Sequence, residues 1–209
     1  MSRIAYVNGR YLPRAEAKVS VEDRGYQFAD GVYEVCEVRG GRLVDERRHM
    51  ARLDRSLIEL RIARPMSPAA LTIVLRETVR RNRVRDGIGY LQVTRGVARR
   101  DFPFPSADTK PSVVVTARSN DLARLEQVAE EGIAVVTVSD IRWQRVDIKS
   151  VALLALVETS AYAQRLELAV QRRALHADKL RGARNIAAEA ADLRHQIFAF
   201  EHFARIAQR

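Results

Sequence analysis

The distribution of turn-forming residues along the chain constrains its fold most strongly. All six prolines lie at or before Pro111, and Gly182 is the only one of the ten glycines beyond residue 150. A sheet needs turns between its strands, and glycine and proline make such turns at low energetic cost. The sequence therefore predicts strands and helices up to about residue 150 and a helical or disordered tail after it.

Two dipeptides with turn character interrupt runs of alternating polarity. Asn8-Gly9 divides the run from Ile4 to Leu12, and Gly40-Gly41 separates Val32–Val38 from Arg42–Val44. Both dipeptides adopt positive φ easily, which a tight reversal between two strands requires. We therefore predict two β-hairpins in the first 45 residues.

Two helices are predicted after the second hairpin. Apolar residues recur at helical spacing over His49–Ile62, and Arg64-Pro65 ends that run. Ser67 is a good N-cap, and Pro68 suits the first helical position, where the missing N–H has no intrahelical partner.

Two strands, Gly89–Thr94 and Ser112–Thr116, are predicted next, with an arginine- and proline-rich surface loop between them. A further strand, Ile133–Val138, is predicted to pair with Arg145–Ile148. Together these elements predict an α+β fold with an N-terminal domain at 1–118, a polar linker at 119–130 and a partial second domain at 131–209.

Charge and cysteine content restrict the classes of partner that the chain is expected to have. The chain carries 36 Lys and Arg against 26 Asp and Glu, a net charge of +10, but acids are interspersed among the arginines rather than segregated. A solvated basic surface fits this pattern better than a nucleic-acid site. The single cysteine, Cys36, excludes an internal disulfide and a thiol metal cluster, and no apolar run is long enough to span a membrane. We expect a cytoplasmic protein without metal, membrane or nucleic-acid partners.

One segment resembles a family motif closely. The run 22–35, read as EDRGYQFADGVYEV, resembles the early motif of D-amino-acid aminotransferases, which belong to the class IV (fold type IV) pyridoxal-phosphate enzymes. The resemblance continues, in the family's order and spacing, through His49–Leu53, Gln92–Gly96, Asp140–Trp143 and Asp147–Ser150. Branched-chain aminotransferases share this fold, but their early motif usually differs from Gly31–Val35. The resemblance implies an N-terminal domain of that fold and favours the D-amino-acid branch.

The resemblance assigns roles to four residues of this chain. Lys149 would hold pyridoxal 5′-phosphate as a Schiff base and shuttle the substrate proton, since a lysine amine can both bond and titrate. Arg52 would bind the cofactor phosphate through its planar guanidinium. Tyr33 and Arg100 would meet the substrate carboxylate, and the family often takes this arginine from the neighbouring subunit of a homodimer. Without the motif, each of the four is an ordinary surface or strand residue.

Two features depart from the family pattern. Phe102 stands where many D-amino-acid enzymes carry a histidine, which removes one carboxylate donor. From about Ala155 onward, neither the glutamate that pairs with the pyridinium nitrogen nor the later phosphate turn is recognisable; Glu158, Glu167 and Glu189 match nothing in the family motif. An electron-sink cofactor depends on such a partner. We therefore expect an incomplete C-terminal domain with weak cofactor binding and poor turnover.

Four functions are compatible with these observations. The leading prediction is an aminotransferase that moves an amino group between a D-amino acid, such as D-alanine, and a 2-oxo acid. A branched-chain aminotransferase is the alternative within the same fold. A non-catalytic remnant and a basic nucleic-acid-associated protein remain the alternatives outside it.

Overall fold

The computed structural model describes residues 3–132, 145–154 and 157. Contacts divide the chain into one unit of residues 1–130 with 145–152 and another of residues 131–144 with 153–209. In the second unit, Val157 N donates to Leu153 O at 3.1 Å, the spacing of a helical turn. The strand predicted at Ile133–Val138 lies outside the described residues, as does the tail from residue 158 onward.

An antiparallel sheet forms the centre of the first unit. Its strands are β1 (Ile4–Val7), β2 (Arg10–Pro13), β3 (Gly31–Arg39), β4 (Arg42–Leu43), β5 (Gly87–Thr94) and β6 (Ser112–Ser119). They lie in the order β2-β1-β6-β5-β3-β4, and every neighbouring pair is antiparallel. Helices accompany this sheet, so the α+β class predicted from the sequence is confirmed.

Both predicted hairpins are present with two-residue turns. Val7 pairs with Arg10 across Asn8-Gly9, and Arg39 pairs with Arg42 across Gly40-Gly41. All four turn residues have positive φ, from 45° at Asn8 to 96° at Gly9. Two consecutive residues at positive φ give the reversal whose twist matches that of the flanking strands.

Four α-helices are described: α1 (Arg24–Phe28), α2 (Glu46–Glu59), α3 (Pro68–Arg81) and α4 (Leu122–Glu131). The start of α3 was predicted correctly: Ser67 Oγ accepts from Ala70 N at 3.2 Å. Helix α2 begins and ends three residues earlier than predicted, because Asp45 and Arg61 both adopt left-handed backbone conformations that interrupt helical hydrogen bonding. Within the described part of the chain, no helix is long and apolar enough to cross a membrane.

The core lies between one face of the sheet and helices α2 and α3. Its members are buried aliphatic side chains from both layers: Val32, Leu53, Leu57, Leu71, Leu75, Leu91, Val93 and Val115. Burying each such side chain stabilises the fold by roughly 1.5–3 kcal/mol. On β3, Glu34 and Cys36 share this buried face with Val32, whereas Tyr33 and Val35 are half-buried on the other face.

The segments on either side of β6 differ in part from the elements that the sequence predicts. Strand β6 continues to Ser119 and α4 begins at Leu122, so a helix occupies most of the range predicted as a linker. None of the side chains of α4 is buried. The loop between β5 and β6 is a surface loop, as predicted, with Phe102 86% exposed.

Candidate active site

Lys149 lies at the edge of β3 that faces away from β5. The backbone N–H of Tyr33 donates to the Lys149 carbonyl at 3.0 Å, and Val151 N donates to the Gly31 carbonyl at 3.1 Å. These bonds surround an isolated bridge between Val32 and Ser150. The lysine backbone is therefore fixed to the start of β3, although 116 residues separate Lys149 from Tyr33 in the sequence.

The residues just before the lysine form a turn, and the prediction of a strand at Arg145–Ile148 is wrong. Ile148 N donates to the Arg145 carbonyl at 3.1 Å, and the Arg145 guanidinium binds Asp147 two residues on. These local bonds favour a compact reversal over an extended strand. Arg145 also donates to Glu59 at 2.7 Å, and Arg55 donates to the Asp147 carbonyl, so the turn is anchored to α2.

The Lys149 side chain lies over an aromatic pair. Its Nζ is 4.3 Å from the centroid of the Tyr33 ring, which stacks on Tyr90 at 5.7 Å with 26° between the ring planes. The Tyr90 hydroxyl donates to Gln92 Oε1 at 2.7 Å. Burial, followed by the neighbouring Tyr33, raises the pKa of Tyr90 above its ordinary value. The structure therefore brings together Lys149 and Tyr33, two of the four predicted site residues.

Arg52 binds a buried carboxylate at the next position on β3. Its Nε and Nη2 donate to the two oxygens of Glu34, each at 2.7 Å. Glu34 has no exposed surface, whereas the Arg52 side chain is 44% exposed. The hydrogen bonds that Arg52 donates to Glu34 raise the pKa of Arg52, and Cys36 and Tyr33 contribute electrostatically in the same direction. The Arg52 guanidinium therefore interacts electrostatically with Tyr33 as well as with Glu34.

Arg100 lies on the exposed loop between β5 and β6. Its guanidinium carbon is 5.4 Å from the Phe28 ring centroid. Arg24 supports the loop by donating from Nη1 to the Asp101 carbonyl at 2.7 Å. In the described part of the chain, no hydrogen bond, ion pair or ring contact joins Arg100 to any of the other three predicted site residues.

A second ionic cluster, which the sequence pattern did not indicate, centres on Asp30, whose side chain is 12% exposed and lies between two buried arginines. Arg95 binds both Asp30 oxygens, at 2.7 and 3.0 Å, and Arg24 Nε donates to one of them at 2.9 Å. Burial alone raises the pKa of Asp30, but the hydrogen bonds from Arg95 and Arg24 outweigh it, and the pKa lies below its ordinary value. Arg95 also donates to the carbonyls of Leu60 and Arg61, which caps the end of α2.

Comparison with known proteins identifies the family. The family model of class IV aminotransferases matches residues 31–171, more than half of the chain. The chain belongs to the class IV aminotransferases. A D-alanine aminotransferase of Staphylococcus haemolyticus is 41% identical over 158 residues, which are 76% of this chain and 55% of that relative. This class IV aminotransferase chain thus spans about half the length of the curated relatives that it matches.

Two solved structures have the same fold. A 4-amino-4-deoxychorismate lyase from Pseudomonas aeruginosa superposes with a TM-score of 0.59 and 26% identity, over 75% of this chain and 56% of its own. A branched-chain aminotransferase from T.th., solved with pyridoxamine 5′-phosphate, gives a TM-score of 0.53 and 23% identity over 58% of this chain and 41% of its own. The latter likeness concerns the fold alone. The predicted fold type is thereby confirmed.

The side chains at the edge of β3 fit an aldehyde that carries a phosphate. Within the described residues, the Lys149 amine makes no hydrogen bond or ion pair, and Nη1 of Arg52 makes none either. A primary amine can bond covalently to an aldehyde carbon, and a guanidinium edge matches two phosphate oxygens. Lys149 contacts Tyr33 and Arg52 binds Glu34, neighbours on β3 whose side chains lie on opposite faces of the sheet. This edge of β3 has no strand partner among the described residues until β4 pairs at Val38.

Proposed function

We propose that this class IV aminotransferase uses pyridoxal 5′-phosphate to move an amino group between a D-amino acid, such as D-alanine, and a 2-oxo acid. The observation that carries the proposal is the Lys149 amine, held at the free edge of β3 over Tyr33 without an ion-pair partner in the described part of the chain. Relatives named D-alanine aminotransferase favour the D-amino-acid branch.

Lys149 is the proposed catalytic residue. Its amine would bond to the cofactor aldehyde carbon with loss of water, and, once the substrate amine has displaced it from that carbon, it would move the proton at the substrate α-carbon. The bound cofactor would supply the electron sink that makes this proton removable. Arg52 would bind the cofactor phosphate with the part of its guanidinium that Glu34 does not occupy.

Tyr33 and Arg100 are the proposed binding residues for the substrate carboxylate. The Tyr33 ring lies under the reactive amine, so its hydroxyl belongs to the same local region. Arg100 is exposed on its loop and contacts no other proposed site residue of the same chain among those described. A second copy of the chain that supplies Arg100 would resolve this separation.

We further propose a cytoplasmic homodimer. Phe102 and Phe104 are 86% and 60% exposed on the loop that carries Arg100. Exposed aromatic side chains grouped on one loop are typical of a surface that another chain covers. The single buried cysteine, Cys36, is compatible with a reducing compartment.

The decisive experiment is a titration of the purified protein with pyridoxal phosphate, followed by visible absorbance. The proposal predicts an absorbance band that Lys149→Ala abolishes, with Lys18→Ala as the matched control for a lysine far from the site in sequence. Addition of D-alanine should then convert the bound cofactor to its amino form and release pyruvate. Faster conversion with L-leucine would favour the branched-chain alternative, and a protein that stays colourless would indicate a non-catalytic remnant.

A further inference from the structure

The buried carboxylate of Glu34 is an unusual partner for an exposed arginine. Among the ion pairs of the described residues, Glu34 has 0% side-chain exposure, whereas Asp54 on α2, which pairs with Arg64, retains 32%. An ionised carboxylate without water is costly unless it is paired and hydrogen-bonded. Glu34 meets this condition through Arg52 and His49, whose Nδ1 lies 2.8 Å from Oε2.

The geometry determines which part of the Arg52 guanidinium remains accessible. Glu34 occupies the Nε and Nη2 side, and a carboxylate can only accept, so His49 Nδ1 must carry the proton in its bond to Glu34. The 3.3 Å approach of Arg52 Nη2 to this protonated Nδ1 is then a contact between two donors. Nη1 and the second hydrogen of Nη2 are left for another acceptor.

The remaining edge of the guanidinium has the shape of a phosphate site. Its two N–H groups are parallel and coplanar, which suits bidentate binding of two phosphate oxygens. A free arginine side chain must lose rotamer entropy to hold such a geometry. Arg52 has already been ordered by two bonds to a residue that is fixed inside the sheet.

We propose that Glu34 is the positioning residue for phosphate binding by Arg52, with His49 holding the carboxylate in place. This inference rests on the proposed function, because it assumes that the cofactor phosphate meets Arg52. Glu34 does not touch the cofactor itself. Its contribution is to fix the arginine in one orientation at the edge of β3, close to the Lys149 attachment.

The test compares pyridoxal phosphate with pyridoxal, which has the same aldehyde but no phosphate. The lysine-dependent absorbance band gives a dissociation constant for each compound. The dissociation constant of pyridoxal divided by that of pyridoxal phosphate, called the ratio below, measures the contribution of the phosphate to binding. Glu34→Gln should weaken pyridoxal phosphate binding about 10-fold and leave pyridoxal binding unchanged, because a neutral amide no longer fixes Arg52 through two charge-assisted hydrogen bonds. Glu37→Gln, on the exposed face of the same strand, is the matched control and should leave both constants unchanged.

A double variant separates positioning from general stabilisation. If Glu34 acts through Arg52, adding Glu34→Gln to Arg52→Met should not lower the ratio further. If Glu34→Gln weakens the binding of both compounds equally, Glu34 has a purely structural role and the proposal is overturned. A ratio that Glu34→Gln leaves at the wild-type value would also overturn the proposal. A wild-type protein with no lysine-dependent band for either compound would instead refute the proposed function, and this inference with it.

Two further measurements cover the case in which Glu34→Gln does not fold. Glu34→Asp keeps the charge but shortens the side chain by one methylene, which moves the carboxylate away from Arg52. The proposal predicts a lower ratio for this variant, while its circular dichroism spectrum shows that the fold is retained. In the wild-type protein, the NMR resonance of the Arg52 Nε–H, assigned by its loss in Arg52→Lys, should exchange slowly with water. Rapid exchange would show that Glu34 does not hold the arginine and would overturn the proposal.

Discussion

Tyr33 holds Lys149 at two points: its backbone N–H donates to the lysine carbonyl at 3.0 Å, and its ring lies 4.3 Å from the lysine Nζ. The first contact fixes the lysine backbone to the sheet, and the second places its amine above the stacked pair of Tyr33 and Tyr90. A backbone bond does not depend on the side chain at position 33. Substitutions of Tyr33 therefore separate the role of its hydroxyl from the attachment of Lys149.

Tyr33→Phe should raise the D-alanine concentration needed for half-maximal conversion of the bound cofactor about fivefold, the equivalent of one hydrogen bond of about 1 kcal/mol. Affinity for pyridoxal phosphate should not change, since the ring and the backbone bond remain. Tyr90→Phe is the control, because its hydroxyl donates to Gln92. A parallel loss of cofactor affinity in Tyr33→Phe would contradict the assignment of this hydroxyl to the substrate.

Asp30→Asn should lower the free energy of unfolding by about 3 kcal/mol, because it leaves Arg24 and Arg95 buried beside an amide that cannot neutralise them. Asp54→Asn removes an ion pair whose arginine is 53% exposed, and its effect should stay below about 1 kcal/mol. Urea unfolding at neutral pH measures both values. Similar losses for the two variants would show that the Asp30 pairs are not desolvated.

The same carboxyl predicts a pH dependence. The pKa of Asp30 is lower in the folded state than its ordinary value of 3.8. Its stabilising contribution is therefore fully present above the unfolded pKa and is lost as the pH falls through the folded pKa. The difference in unfolding free energy between wild type and Asp30→Asn should accordingly shrink below about pH 4.

Cys36 should be inert to thiol reagents in the folded protein. Burial, followed by the nearby Glu34, raises the pKa of this thiol to about 12, and the side chain has no exposed surface. The thiolate is the nucleophile that attacks such a reagent, so both the scarcity of the thiolate and its inaccessibility slow the reaction. Labelling with a chromogenic disulfide should be negligible in buffer and reach one thiol per chain in denaturant. Rapid labelling of the folded protein would mean that β3 opens readily.

The elements that sequence reasoning predicted correctly are those whose causes are local. Asn8-Gly9 and Gly40-Gly41 close hairpins through their own backbone preferences, and Ser67 caps α3 through an N–H three residues away. The turn at 145–148 was missed because Arg145 binds Asp147 and Glu59. Strand propensity depends on the local sequence alone and does not include such side-chain contacts.

The geometry around the predicted site residues was harder to foresee for a related reason. The family motif selected Lys149 and Tyr33, which the structure brings together, but gave no sign of Glu34 as a buried charge. On β3 both alternating faces are rich in apolar residues, so the pattern does not show which face is buried. The partners of Glu34 lie 15 and 18 residues further along the chain. The available signal was that Glu34 stands two positions from both Val32 and Cys36, so that its carboxylate shares a face of the strand with two apolar side chains.

Arg100→Ala should raise the D-alanine concentration required for half-maximal conversion at least 10-fold, while affinity for pyridoxal phosphate stays at the wild-type value. A substrate carboxylate that loses a charged hydrogen-bond donor loses roughly 1.5–3 kcal/mol of binding. The proposed cofactor contacts of Lys149 and Arg52 should be unaffected, because no hydrogen bond, ion pair or ring contact joins Arg100 to either residue in the described part of the chain.

Arg99→Ala is the matched control for this prediction, since Arg99 is the exposed neighbour on the same loop and its substitution removes the same charge. If Arg100 acts from a second copy of the chain, mixing Arg100→Ala with Lys149→Ala protein should restore activity in a fraction of the dimers. Each mixed dimer then contains one site with both residues intact. Equal effects of Arg99→Ala and Arg100→Ala would reduce the role of Arg100 to general charge. Cofactor loss in Arg100→Ala would place this arginine at the phosphate instead, because only a direct contact with the cofactor explains a change in its affinity.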